Sequence, residues 1–522
     1  MNKRFKFTFE VVCIFVMIVL LFAVRWNQLT KRFEKVEWDE ISWVMTSLFN
    51  KHDISAQEKG LDYLNDDMAR SFPTGIKINQ LGFLIFGTDI YSARKILALL
   101  NILSMLTFYL LCRRFYNSIV SFCITILYSF STYKMATARI AVEPAYGDLF
   151  LYIFIALILL ISDKNNKWLN YAYSSLSVLG IVLGTFSYSL SFFFPILGLI
   201  LIFFQLVKTN LKLKEKLIII LLFITPLLMI SSKWINNIRL EESRKEYGLG
   251  NMIFDFENKR FVSENFRTNV YVIYKNLFKT FAFRSADMVA SYEGTIVSSP
   301  IVYLAIAGLL LSLFKIKKYY PLQIWLGMSL GSILFFGFLA ARMWINTLGV
   351  FFIFSGITVQ GLLNLKEIKS NKFTPLFLYF FLVFIAYINL YTFYNVARGN
   401  PSFSPRIGEV VKFSSEFKQN LTKDVVFISD SEFIRFNIYP TTTFYYLAGH
   451  PGEKNRIKYM TKEEMGVFSY EDFLGSAQFK IDKYKYLVVD NNFESEISSL
   501  IENNLGRKIK KKRYYYFSLL EV

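Results

Sequence analysis

The run Phe9-Glu10-Val11-Val12-Cys13-Ile14-Phe15-Val16-Met17-Ile18-Val19-Leu20-Leu21-Phe22-Ala23-Val24 is apolar but for Glu10, and Lys3, Arg4 and Lys6 precede it. Inside hydrocarbon every backbone N–H and C=O needs an internal partner, so a run of this kind has to be a helix. It resembles a signal peptide, but no small-residue cleavage site follows. It therefore reads as an uncleaved first span with its N-terminus inside, and Arg25-Trp26 reads as an interfacial anchor. Downstream comes Glu37-Trp38-Asp39-Glu40, two adjacent carboxylates beside a Trp, close to where the first helix emerges.

The rest of the chain repeats the pattern of the first run. Of 522 residues, 54% are hydrophobic and 18% aromatic, and the mean hydropathy is +0.36. That is too apolar for a water-soluble protein of this size, and predicts a polytopic α-helical membrane protein. The formal charge is +19. Its lysines are spread over short loops, as cytoplasmic positive charge would be. No aromatic-interleaved basic patch marks a nucleic-acid surface, so no nucleic-acid partner is expected. The cysteines are Cys13, Cys112 and Cys123, and the histidines are His52 and His450. These supply neither a disulfide framework nor a His-based zinc site or triad. No cofactor is expected, and no ligand cluster for a metal stands out.

Between the first run and position 92 the chain is mostly polar. Ile41, Val44, Met45 and Leu48 share one helical face, which predicts an interfacial helix. Gln80 to Ile90 is apolar but short and contains Gly82 and Gly87, which predicts a re-entrant or interfacial segment. Spans are then predicted at Ala93–Leu111, Ser118–Ser131, Tyr146–Ile161, Leu169–Tyr188, Ser191–Val207, Leu217–Ser232, Ile296–Phe314, Leu322–Leu339, Ile345–Leu365 and Thr374–Tyr391, making about eleven with the first.

The connecting loops test the order. Those expected inside are Cys112 to Phe115, Asp163 to Lys167, Lys208 to Lys216, Lys315 to Lys318 and Lys366 to Lys372, and each is basic. Alternation of this kind places the N-terminus in the cytoplasm and the C-terminus outside. It also places Asp39, Glu40, Arg139, Glu143 and Arg342 outside. Lys134, Arg139 and Arg342 are then cations on the wrong side, at membrane boundaries, which points to an anionic ligand there. The loop from Lys233 to Thr295, with Arg284 in it, is long enough to be functional or a small subdomain. Positions 1–395 thus read as a transmembrane domain with outer loops at 25–92 and 233–295. Positions 396–522 read as a small extracytoplasmic α/β domain. In it Asp424–Ser429 and Tyr484–Asp490 are strand-like, Ile407–Phe417 and Glu494–Asn503 helix-like, and Tyr514–Val522 fits a last strand.

Outward carboxylates and outward cations suit transfer from a lipid phosphate. Cleaving a sugar C1–O bond leaves negative charge on the phosphate, which Arg or Lys stabilises best where water is excluded. The acceptor hydroxyl needs a base, and a carboxylate can serve. Each residue also has a plainer reading. Asp39 suits an N-cap for the helix near Ile41 as well as it suits a base. Glu40 can pair with a cation or help hold a metal. Glu143-Pro144 is equally a helix start, and Arg342 can be a snorkelling interfacial residue.

At these residues the chain resembles the GT-C superfamily of integral-membrane glycosyltransferases, in its bacterial protein-mannosyltransferase and aminoarabinose-transferase branch (glycosyltransferase family 39-like). The resemblance is carried by Asp39-Glu40, by Phe72-Pro73-Thr74 and then Phe86-Gly87-Thr88-Asp89-Ile90-Tyr91-Ser92-Ala93-Arg94, by Arg113-Arg114-Phe115, by Ala138-Arg139-Ile140-Ala141-Val142-Glu143, and by Arg342. Departures occur where members show a second proline near Pro73 and prolines around the late arginine. The resemblance implies Asp39 as catalytic carboxylate, with Glu143 supporting it; Glu40, the other half of the acidic pair, is a further catalytic candidate. The resemblance implies Arg139 and Arg342 as candidates for the carrier phosphate, and Lys134 and Arg284 join them as further outward cations. It also implies a polyprenyl-phosphate-linked sugar as donor, a glycan, lipid or protein as acceptor, and inversion at C1. The rival expectations are a lipid-linked polysaccharide polymerase or ligase, and a transporter or flippase.

Overall fold

The computed structural model describes residues 3–29, 44, 47, 73–87, 90–138, 144–187, 191, 193–242, 254–255, 260–261, 270–271, 283–285, 294–336, 345–365, 373–399, 425–428, 467–468, 486–506, 508–513 and 517–521. They are predominantly helical. In chain order the helices are α1 (Lys3–Leu29), α2 (Pro73–Phe86), α3 (Ile90–Cys112), α4 (Ser118–Ser129), α5 (Thr132–Thr137), α6 (Pro144–Leu160), α7 (Lys167–Thr185), α8 (Phe194–Lys208), α9 (Leu213–Glu242), α10 (Ser299–Leu313), α11 (Ile316–Phe336), α12 (Ile345–Leu363), α13 (Phe373–Gly399) and α14 (Glu494–Leu505). Each span expected from hydropathy overlaps one of them. Ser92–Cys112, Asn346–Leu363 and Phe373–Tyr391 are long and apolar enough to cross a membrane, and Ser118–Ser129, Tyr146–Leu160, Phe194–Lys208 and Ser299–Leu313 are shorter apolar helices.

The chain divides into two compact units. The first comprises Met1–Gln28, Ser71–Gly75 and Leu97–Gly399; the second comprises Leu29–Arg70, Ile76–Ile96 and Asn400–Val522.

In the first unit, local chemistry sets the helix starts. The Asn117 side chain accepts from the Val120 amide at 2.9 Å and caps α4, and Asn166 caps α7 in the same way. Each satisfies one of the donors that a helix N-terminus leaves open. Glu10, the charge inside the first apolar run, accepts from Arg113 and from Ser118 Oγ at 2.7 Å. Helix α1 is thereby tied to the turn between α3 and α4. The interior is aromatic. Phe108 lies 4.9 Å from Tyr128 and 5.1 Å from Tyr152, and Tyr128 lies 4.9 Å from Phe352, centroid to centroid. Helices α10 and α12 approach so closely that a Cβ on Gly308 would sit 1.8 Å from the Phe354 carbonyl oxygen. Without a hydrophobic drive between helices in lipid, such small-residue contacts are what bring helices together.

In the second unit, α2 runs unbroken through Gly82. The glycine interrupts nothing: a Cβ there would lie 2.6 Å from Ile96 Cγ2 and 2.9 Å from the Ser92 carbonyl oxygen, so its absence lets α2 and the start of α3 pack together. Gly87, which follows α2, has φ of +96°, a conformation that other residues avoid. Of the stretch Gln80–Ile90, expected to be re-entrant or interfacial, the described residues are the end of α2, Gly87 and the first residue of α3. Ser47 accepts from the Asn79 side chain at 3.1 Å and through its carbonyl from Gln80 at 3.2 Å.

The first unit has two antiparallel strand pairs, β1 (Phe254–Asp255) with β2 (Arg260–Phe261) and β3 (Phe283–Ser285) with β4 (Gly294–Val297); the second holds a five-stranded sheet. Strands β5 (Val425–Ile428), β6 (Val467–Phe468), β7 (Tyr486–Asp490), β8 (Lys510–Arg513) and β9 (Phe517–Glu521) are ordered β6-β5-β7-β9-β8. The first three are mutually parallel, and β9 runs antiparallel to both β7 and β8. Helix α14 packs on β7 and β9 through Ile497 and Ile501, both buried, and ends at Gly506 in the left-handed conformation. Strand β8, Lys-Lys-Lys-Arg, escapes hydropathy-based reading; it is a fully exposed edge, and lysines there discourage pairing with other chains. Ile407–Phe417 lies outside the described residues.

Candidate functional site

A buried polar cluster sits among α1, α3, α5 and α6. Arg25, at the end of α1, is only 1% exposed. It donates from Nε to Asn101 Oδ1 at 3.1 Å, from Nη1 to Met135 Sδ at 2.8 Å, and from Nη2 to the Ser129 carbonyl oxygen at 2.6 Å. It is therefore a buried node and not the interfacial anchor that its neighbour Trp26 suggests. Trp26 itself stacks on Phe22 at 5.1 Å.

Beside Arg25, the Lys134 ammonium is ion-paired with Asp148, and neither side chain is exposed. Asp148 Oδ1 also accepts from Ser104 Oγ at 3.3 Å, and Ser104 lies one turn from Asn101 on α3. The Lys134 ammonium stands 5.9 Å from the centre of the Tyr128 ring. Burial, the larger effect, draws the pKa of Lys134 down, while Asp148 pulls it back up. Unpaired, either charge would be prohibitively costly here; together they are tolerable.

From Tyr128 the polar path continues. Its hydroxyl is 2.8 Å from that of Tyr152, whose ring lies 5.9 Å from Trp325. Trp325 Nε1 donates to the Asn346 carbonyl oxygen at 2.7 Å, in the first turn of α12.

The cluster has a definite relation to the residues singled out in the sequence. Asp39, Glu40, Arg139, Glu143 and Arg342 lie outside the described residues. Their flanks within the first unit do not. Lys134 precedes Arg139, Asp148 follows Glu143, and Asn346 follows Arg342. The Lys134–Asp148 pair joins the two helices on either side of the Arg139–Glu143 segment. Arg284 lies in strand β3 (Phe283–Ser285), its backbone opposite Thr295 of β4 (Gly294–Val297). Of the seven candidates only the Lys134 side chain is described, and its ammonium is engaged by Asp148. Sequence reading placed Arg25 at the interface and gave Asp148 no role. Asp148 carries a usable signal, since an acid in an otherwise apolar helix demands a partner. Among the described residues there is no group of three or more His, Cys, Asp or Glu able to hold a metal.

No family model matches the chain, and no curated protein matches it. Among solved structures the chain shares its fold with ArnT and with an archaeal oligosaccharyltransferase. It is similar to ArnT from Cupriavidus metallidurans bound to undecaprenyl phosphate, with TM-score 0.54 and 12% identity over 96% of this chain and 97% of that one. The apo state of the same enzyme gives TM-score 0.52 at 11% identity over 97% of each chain. The apo oligosaccharyltransferase of Archaeoglobus fulgidus gives 0.51 at 12% identity over 96% of this chain and 72% of that one. The sequence resemblance to the GT-C superfamily thus agrees with the fold; at such identity the fold is what is shared.

Proposed function

We propose that the chain is a membrane glycosyltransferase that moves a monosaccharide from a polyprenyl-phosphate carrier to a glycan, lipid or protein acceptor on the outer face of the cytoplasmic membrane. The observation that carries this reading is the end-to-end match to ArnT, which was captured with undecaprenyl phosphate. The proposed topology has an N-terminus in the cytoplasm, about eleven spans, and an extracytoplasmic C-terminal domain from position 396.

In this mechanism Asp39 takes the proton from the acceptor hydroxyl as that oxygen attacks C1 of the sugar. The C1–O bond to the carrier breaks with inversion, and the free polyprenyl phosphate departs with the electron pair. Arg139 and Arg342 neutralise the charge that develops on the phosphate, with Arg284 as a further cation for it. Glu40 and Glu143 support the site. Lys134, committed to Asp148, holds the helices that flank the Arg139–Glu143 segment and acts on the phosphate only indirectly. The lipid phosphate is itself the activated leaving group, so no nucleotide is needed.

The test uses the purified full chain in nanodiscs with a panel of polyprenyl-phosphate monosaccharides and acceptor extracts, following release of polyprenyl phosphate. Release by wild type and its loss in folded Asp39→Asn support the reading. Equal release by both removes Asp39 from the chemistry, and the absence of release from any donor with any acceptor removes the transferase.

A further inference from the structure

A second feature lies in the first unit among residues without a role in the proposed chemistry. Between α8 and α9 runs an apolar cavity of about 320 Å³, lined by Leu199, Phe203, Val207, Leu217, Ile220 and, at one end, Lys216. Phe203, Val207 and Leu217 are each more than half exposed. Such surface is stable only against hydrocarbon or a partner. The two helices meet farther along, where Phe223 packs against Gly198.

Lysines cluster where the lining includes Lys216. Lys212 and Lys214 are exposed and Lys216 is half-buried. None of the three forms an ion pair among the described residues. Lys208 is already occupied, donating to the Lys317 carbonyl oxygen at 3.4 Å and standing over the Tyr320 ring at 5.7 Å. The positive-inside tendency accounts for lysines in this loop. It does not require one of them to line an apolar groove.

We propose that this groove is a binding site for an anionic glycerophospholipid, one acyl chain lying between α8 and α9 and the phosphate at Lys212, Lys214 and Lys216. The charge is complementary, and basic pockets between membrane helices are a recurrent means of holding anionic head groups. Length favours the same occupant. The α9 lining runs from Leu213 to Ile224, about 16 Å at 1.5 Å per residue. That is about half of a hydrocarbon core of roughly 30 Å, the reach of one phospholipid leaflet. A polyprenyl chain extends well beyond it. The site is separate from the proposed donor chemistry and does not depend on it.

The experiment reconstitutes the full chain in nanodiscs and maps photolabelling by mass spectrometry, using phosphatidylglycerol and phosphatidylcholine probes with a photoreactive acyl chain. Each lysine near an anionic head group strengthens attraction about fivefold. Labelling of residues 199–207 and 213–224 by phosphatidylglycerol is therefore expected to exceed that by phosphatidylcholine at least tenfold. The triple substitution Lys212→Gln, Lys214→Gln, Lys216→Gln brings the two probes level. Leu217→Trp, which fills the groove without touching a charge, reduces labelling by both. Equal labelling of wild type by the two probes overturns the proposal. So does labelling concentrated elsewhere, or a polyprenyl-phosphate probe that outcompetes phosphatidylglycerol in the groove.

Discussion

Replacing Asp148 by Leu isolates the cost of an uncompensated charge inside the first unit. In wild type the Lys134 and Asp148 side chains are both fully buried and paired. Breaking a buried pair by removing one partner costs about 3–5 kcal/mol, whereas replacing both partners by apolar residues of similar volume is often neutral or stabilising. Asp148→Leu and Lys134→Met are each expected to lose about 3–5 kcal/mol, and the double variant to lie within about 2 kcal/mol of wild type. The coupling energy of the cycle then exceeds about 3 kcal/mol. Equilibrium unfolding of purified protein by SDS in mixed micelles reads all four corners. The sign of the pH dependence is also determined. Lys134 has its folded-state pKa below its unfolded value through burial, and loss of Asp148 removes the opposing effect. The unfolded chain then binds more protons, so Asp148→Leu recovers stability as pH rises toward the ordinary lysine pKa. Single variants that each cost less than about 1 kcal/mol and add in the double variant refute this account of the pair.

Asp39→Asn is expected to lower polyprenyl-phosphate release about 10²- to 10⁴-fold, the usual worth of a general base, with little change in the donor concentration needed for half-maximal rate. Gly308→Ala places a methyl 1.8 Å from the Phe354 carbonyl oxygen; the helices have to part, and the folded yield in detergent, read by size-exclusion fluorescence, falls sharply. The Tyr128 and Tyr152 hydroxyls share a buried hydrogen bond of 2.8 Å. Either Phe variant should cost about 1–3 kcal/mol by leaving the other unpaired, with the double costing less than the sum. Lys510→Val with Lys512→Val turns a charged edge strand into an apolar one, and concentration-dependent association by light scattering is expected to increase.

The helical architecture was legible because membrane helices announce themselves by run length, and the basic loops between them by charge. The ends were harder to read. Gly82 looks like a breaker in isolation, but its meaning is a contact with Ile96 and Ser92 on α3, which no local pattern encodes. Arg25 beside Trp26 has the composition of an interfacial belt, and only tertiary structure shows its partners on α3, α5 and the end of α4. Asp148 was visible as an acid in an apolar helix, yet its partner could have been any cation in the chain. Strand β8 has the composition of a solvated tail and is a strand only because β9 pairs with it. Of the candidate site, residue types and chain order were legible. Their mutual geometry is set by long-range contacts, and of the seven side chains the structure describes only that of Lys134.

The short helices have a consequence for the bilayer itself. Helices α8 and α10 have 15 residues each, about 22 Å at 1.5 Å per residue, against a hydrocarbon core of roughly 30 Å. Both present apolar side chains outward, among them Phe203 and Phe204 on α8 and Leu310 and Leu311 on α10. In the proposed topology the lipid around each of them thins to match, at a fraction of a kcal/mol for each ångström of mismatch. A thinned annulus shortens the distance between leaflets, and makes acyl-chain length in the host membrane a setting that acts on this protein as directly as a point mutation.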